Sequence, residues 1–174
     1  SRLRPAVAVD GEPLTGEELV AEVDAIVARG SASAPVARAI SCLVDTAGSD
    51  GIDLRGRRIV VLGAGAELAP TRLWLEGGAD VLWIDLDEPP AELLAGDGLG
   101  GTMHWVPGGV DLLTDPHRIR ATIEAFADAS PIDVGLYAYA GGRGREWRLT
   151  ATMNAIVDAL AFGTVRSVAM LLSP

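Results

Sequence analysis

Lysine is absent: all 14 basic residues of this 174-residue chain are arginine. Within the chain, that excludes a Schiff-base lysine, the lysine of a Walker phosphate loop and a lysine general acid. Cysteine is almost absent too. Cys42 stands alone, so an internal disulfide framework and a cysteine-rich zinc site are excluded; on an apolar helix face it is expected to be an inert buried thiol. The two histidines, His104 and His117, lack metal-ligand spacing, so no metal is expected. No apolar run approaches the roughly 20 residues of a membrane helix. The start, Ser1-Arg-Leu-Arg-Pro5, lacks the apolar stretch and cleavage site of a secretory signal, which makes a cytoplasmic location the expectation. Positive charge is in deficit, with a net charge of −10. Such a chain repels nucleic acid and anionic membrane at long range. The expected partners are a small-molecule substrate and either a second copy or the remainder of a larger chain.

What the chain has is apolar content: 49% hydrophobic against 22% charged residues, with a mean hydropathy of +0.29. That is enough for a substantial core in one domain, or in one domain plus an arm. Residues 1–50 read as an N-terminal helical arm. Thr15-Gly-Glu-Glu18 has the form of a capping box, and Leu19, Val20, Val23, Ile26 and Val27 follow at helical spacing. A second helix is expected from Ala34 to Thr46, and turn residues from Asp45 to Gly51 mark a boundary. Residues 51–174 read as a second domain in which strands and helices alternate. The strands are expected at Arg58–Leu62, Asp80–Ile84, Met103–Val106, Asp133–Ala138 and Val165–Leu172. The helices are expected at Pro70–Glu76, Asp115–Ala129 and 147–161. This alternation predicts an α/β fold, a doubly wound, mostly parallel Rossmann-like sheet of strand order 3-2-1-4-5.

Sheets of this kind bind ligands beyond the carboxyl ends of their strands, where the strand order reverses. After the first strand comes Gly63-Ala-Gly65-Ala-Glu67-Leu-Ala69-Pro70. Here Gly63 permits a tight turn, and Gly65 would let a pyrophosphate approach the backbone at a helix N-terminus. Asp85 ends the second strand, where an acid can accept both ribose hydroxyls of an adenosine; Asp87 is the neighbouring alternative. The carboxylate of Asp85 would repel a 2′-phosphate, favouring NAD over NADP. Asp85 can equally cap the turn that follows it. Glu67 stands where a pyrophosphate would lie, or else satisfies the helix end itself. The cluster from Gly141 to Arg148 is expected to be a solvated loop anchored by Trp147, with arginines able to hold a phosphate or carboxylate. Trp74, Trp83 and Trp105 are expected in the core or at an interface.

Gly109-Val-Asp111-Leu112-Leu-Thr-Asp-Pro116, a following helix, Pro131-Ile-Asp133-Val and Tyr137-Ala-Tyr139-Ala140-Gly141-Gly resemble the short-chain dehydrogenase/reductase family over roughly residues 57–174. The resemblance implies that Asp111 and Leu112 lie beside the adenine, and that Ala140-Gly141 stands for the end of the family's Asn-Asn-Ala-Gly turn. It implies an NAD(P)-dependent oxidoreductase, or its cofactor-binding portion, moving hydride to or from a small carbonyl or alcohol. The family's glycine turn is not reproduced, since Glu67 and Ala69 stand where it has glycines. Its catalytic Tyr-x-x-x-Lys cannot occur without lysine, so the catalytic donors would lie beyond Pro174. Ser173, after the last strand, is the one catalytic candidate. Two alternatives stand beside this one. Val61-Leu-Gly-Ala-Gly65 followed by Val81-Leu-Trp-Ile-Asp85 also resembles an S-adenosylmethionine-dependent methyltransferase, whose cofactor has no pyrophosphate. The third is a non-catalytic, degenerate domain with an assembly or regulatory role.

Overall fold

The computed structural model describes residues 2–9 and 11–171, with Arg143 described by its backbone alone. The chain forms two compact units, Ser1–Leu54 and Arg55–Pro174. The first unit is not purely helical, as its sequence suggests. It opens with an antiparallel pair of strands, β1 (Ala6–Val9) and β2 (Glu12–Thr15), with Val7 opposite Leu14. Four-residue strands are too short for their periodicity to be read. Helices α1 (Gly16–Ala28) and α2 (Ala34–Ala47) follow, with Leu19 and Val23 of α1 buried. Thr15 is the N-cap of α1, yet its side chain makes no capping bond. Its backbone closes β2, paired with Ala6. In α2 only Ala47 is buried, so Cys42 is an exposed thiol and not the buried one expected. Reciprocal hydrogen bonds of 2.9 and 2.7 Å between Leu3 and Ile52 tie the ends of this unit together.

In the second unit, Ile-Val-Val-Leu and Val-Leu-Trp-Ile runs have no polar face to offer water, so both faces of their strands must be covered. The elements are β3 (Arg58–Leu62), α3 (Thr71–Glu76), β4 (Asp80–Ile84), α4 (Ala91–Leu94), β5 (Met103–Trp105), α5 (Pro116–Ala127), β6 (Ile132–Leu136), α6 (Arg143–Asp158) and β7 (Val165–Met170). The five strands form one parallel sheet in the order β5-β4-β3-β6-β7, consistent with a Rossmann-like fold. On one face Val60, Leu62, Ile84, Val134 and Leu136 pack with Ile119 and Ile123 of α5 and Met153 and Ile156 of α6. The alternate residues Ile59, Val61, Val81 and Trp83 are also buried, as is Leu75 of α3. Each such side chain contributes on the order of 1.5–3 kcal/mol by leaving water.

The helix after β6 departs from its expected extent. It begins at Arg143 and ends at Asp158, because the amides of Arg145 and Glu146 already bond the carbonyl of Gly142. Most of the basic cluster is therefore helical, and Trp147 is no anchor, being 73% exposed. Trp83 is buried, Trp105 is exposed, and Trp74 meets Tyr137 edge to face at 6.0 Å. His104 likewise stacks edge-on against Phe126 at 5.2 Å. Among the described residues there is no cluster of metal-binding side chains, and no helix long and apolar enough to cross a membrane.

At the amino end of the sheet, Asp133 of β6 accepts hydrogen bonds from Arg166 and Ser167 of β7 and faces Arg57 at 3.8 Å. Burial alone would raise its pKa. The bonds from Arg166 and Ser167 and the charges of Arg166 and Arg57 outweigh that and hold it below its ordinary 3.8. A depressed carboxylate pKa stabilises the fold above the unfolded-state value and loses that contribution as pH falls through the folded one. Asp133→Asn is therefore expected to cost about 1 kcal/mol at neutral pH, as a partly exposed ion pair does. Urea denaturation of both proteins at a series of pH values should show the gap closing below about pH 4.

Candidate functional site

Register places Leu62, the last residue of β3, opposite Ile84 of β4 on one side and Leu136 of β6 on the other. Three strands therefore end level, and the segments leaving them enclose a cleft of about 260 Å³. Gly63 makes this possible. Its φ is +82°, and a Cβ on it would lie 2.2 Å from the amide nitrogen of Ala138. The amides of Tyr137 and Ala138 both donate to the Leu62 carbonyl, at 2.8 and 2.9 Å, so the chain leaving β6 crosses directly over residue 63.

Asp85 stands at the carboxyl end of β4 and lines the cleft. Its Oδ2 accepts the Gly65 amide at 2.8 Å and its Oδ1 accepts the Leu86 amide at 2.7 Å. It therefore does cap the turn after it, and it anchors the glycine turn as well. A carboxylate offers about four lone-pair sites, so each oxygen keeps room for another donor. A Cβ on Gly65 would meet both Asp85 Oδ2 and Trp83 at 3.3 Å. This glycine serves the approach of the turn to Asp85, whereas the sequence pointed to a pyrophosphate.

The segment after β5 supplies the far wall. Gly109 has φ of +74°, and a Cβ there would overlap the Leu86 carbonyl oxygen, so only glycine lets this segment cross beside β4. The Val110 amide then donates to the Asp85 carbonyl at 2.7 Å. Asp111 and Leu112 are thereby brought to the cleft, with Asp111 Oδ1 accepting the Leu113 amide at 2.7 Å. Asp87 also lines it, and its carbonyl accepts the indole N–H of Trp83 at 2.8 Å. Arg145 and Leu149 of α6 close the remaining side. The sequence pattern did not point to Trp83, Val110 or Leu149. The glycine pair 108–109 was the one available signal that a close crossing lay there.

Of the remaining expected residues, Ala140 lines the cleft, but Gly141 lines neither it nor the second cavity described next. Ser173 lies outside the described residues. Glu67 is not in the cleft. It lines a second cavity of about 480 Å³, which shares Ala66, Ala138 and Tyr139 with the first. The expected pyrophosphate cradle is largely committed elsewhere: the amides of Gly63 and Ala64 bond the Ile84 carbonyl, Gly65 bonds Asp85, and Ala66 bonds Gly63. Helix α3 begins only at Thr71, spans six residues and has Pro70 at its N-cap, so its end adds little for an anion. Arg145 is the single cation among the described residues lining the two cavities.

In comparisons with known proteins, no protein-family model matches the chain and no curated protein matches its sequence.

The crossing at residue 63 is the most demanding contact of the site. Gly63→Ala combines a strained φ with a backbone overlap and is expected to cost about 3 kcal/mol or more. Gly65→Ala needs a shift of only a few tenths of an ångström and is expected to cost about 1 kcal/mol. Urea unfolding followed by tryptophan fluorescence ranks the two.

Proposed function

We propose that the cleft over β3, β4 and β6 binds the adenosine portion of a cofactor, and that this chain is the cofactor-binding portion of an NAD-dependent oxidoreductase of the short-chain dehydrogenase/reductase type. On this reading the order β5-β4-β3-β6-β7 is the 3-2-1-4-5 arrangement of a dinucleotide-binding half, and the cleft sits at its point of reversal. The observation that carries the proposal is Asp85, which lines an open cleft with acceptor capacity left on both carboxylate oxygens. Two ribose hydroxyls need such a pair of acceptors.

The lining fits an adenosine. Leu112 and Val110 offer an apolar wall for the base, Asp111 lies beside them, and Ala138 and Ala140 leave the floor open. A volume of about 260 Å³ falls just under the usual range of ligand pockets, roughly 300–1,000 Å³. It suits a nucleoside and not a whole dinucleotide, so a longer cofactor would run toward the shared wall of Ala66, Ala138 and Tyr139. Asp85 would bind and orient the ribose and repel a 2′-phosphate, favouring NAD over NADP. Bound nicotinamide would supply hydride chemistry. The chain itself holds no lysine, so the family's Tyr-x-x-x-Lys acid is not among these 174 residues.

A second reading is favoured by the acidity of the path. With four turn amides already bonded and Glu67 and Glu146 lining the adjoining cavity, a diphosphate finds few partners. S-adenosylmethionine needs the same ribose acceptor and carries no phosphate, so the methyltransferase alternative also suits this geometry.

Thermal denaturation with NADH and with S-adenosylmethionine separates the two, since a ligand stabilises the state it binds. A rise in Tm with NADH is expected. A rise with S-adenosylmethionine alone selects the second reading, and silence from both removes the adenosine assignment. Asp85→Ala should weaken whichever cofactor binds by about tenfold or more, one to two lost hydrogen bonds to a charged acceptor. Isothermal titration of both proteins measures it.

A further inference from the structure

The larger cavity, about 480 Å³, lies on the β7 side of the cleft, and its chemistry differs from that of its neighbour. Much of its wall is apolar or aromatic. Met153 is buried beneath it, Met170 packs on the same core cluster, and the rings of Tyr137 and Tyr139 stand in the lining. Tyr137 is held in place by its edge-to-face contact with Trp74, and burial raises its pKa, so the phenol stays neutral. Among the described residues, the charged side chains lining the cavity are two carboxylates: Glu67, from the turn after β3, and Glu146, from the first turns of α6. No arginine is among the described residues lining it.

An apolar pocket with a few placed polar groups is the usual form of a small-molecule site. Here those polar groups set the sign of the ligand. A carboxylate or phosphate entering would lose water and meet two like charges. An ammonium would meet two opposite charges. We infer that this cavity is the substrate pocket and that it takes a small molecule with an apolar or aromatic body and a cationic amine. The adenosine-site reading enters only in calling this molecule the substrate; the binding claim stands on the cavity itself.

Three probes of one shape test it: 3-phenylpropylamine, 3-phenylpropan-1-ol and 3-phenylpropionate, titrated into the whole chain by calorimetry or ligand-observed NMR. The amine should bind at least about tenfold tighter than the alcohol, with the carboxylate weakest. Glu67→Gln with Glu146→Gln keeps the shape, removes both charges and should abolish the preference. Equal binding of the three probes, binding of none, or a preference that survives the double substitution overturns the inference. NADH and S-adenosylmethionine titrated into the same unsubstituted chain judge the cofactor reading separately. If neither binds while the amine preference holds, the cofactor reading falls and the amine pocket stands. If one of them binds while the three probes bind alike, the reverse holds.

Discussion

Every feature of the candidate site depends on how closely the chain leaving β6 crosses the chain leaving β3. Two consecutive amides, of Tyr137 and Ala138, converge on the single Leu62 carbonyl, and residue 63 passes directly beneath. No side chain fits at that crossing. Because the crossing is tight, the carboxyl ends of β3, β4 and β6 stay level, and the segments beyond them must turn outward. The cleft is the space that this outward turn leaves. A looser crossing would let the post-β6 segment sag into it.

The second determinant is Asp85, which joins three segments through one residue. Its carboxylate holds the glycine turn, and its carbonyl holds the post-β5 segment through Val110. A residue committed in this way is preorganised, because its position does not have to be fixed again when a ligand arrives. On the proposed reading, structural and ligand-binding roles are not alternatives at this position. A carboxylate has acceptor capacity for both.

The carboxylates are held differently at the two ends of the sheet. At the amino end of β6, Asp133 is paired with arginine and satisfied by a hydroxyl. At the carboxyl end, Asp85, Asp87 and Asp111 line a cleft where Arg145 is the one cation among the described residues, and Glu67 and Glu146 line the adjoining cavity. Among the described residues, the carboxylate at one end is paired with arginine, whereas Asp85 and Asp111 at the other accept backbone amides. The strong net negative charge adds a long-range repulsion of anions.

The sequence by itself determined the alternation of strands and helices from about residue 57 onward. Continuous apolar runs such as the four residues Ile59–Leu62 and Val81–Ile84, set between turn segments, admit few other structures, and their burial is a local property of composition. It also placed Gly63, Gly65, Asp85, Asp111 and Leu112 near one another, because the carboxyl ends of neighbouring parallel strands are neighbours in space. Only the tertiary structure decided what those residues touch. It turned Gly65 toward Asp85, put Glu67 in a different cavity, left Gly141 out of both, exposed Cys42 and Trp147, and formed the β1–β2 pair. The β1–β2 pair is local, but its strands are too short for a periodicity to show; the surroundings of Gly63 and Gly65 depend on backbone crossings between segments 20 to 75 positions apart, a distance that no periodicity along the chain carries.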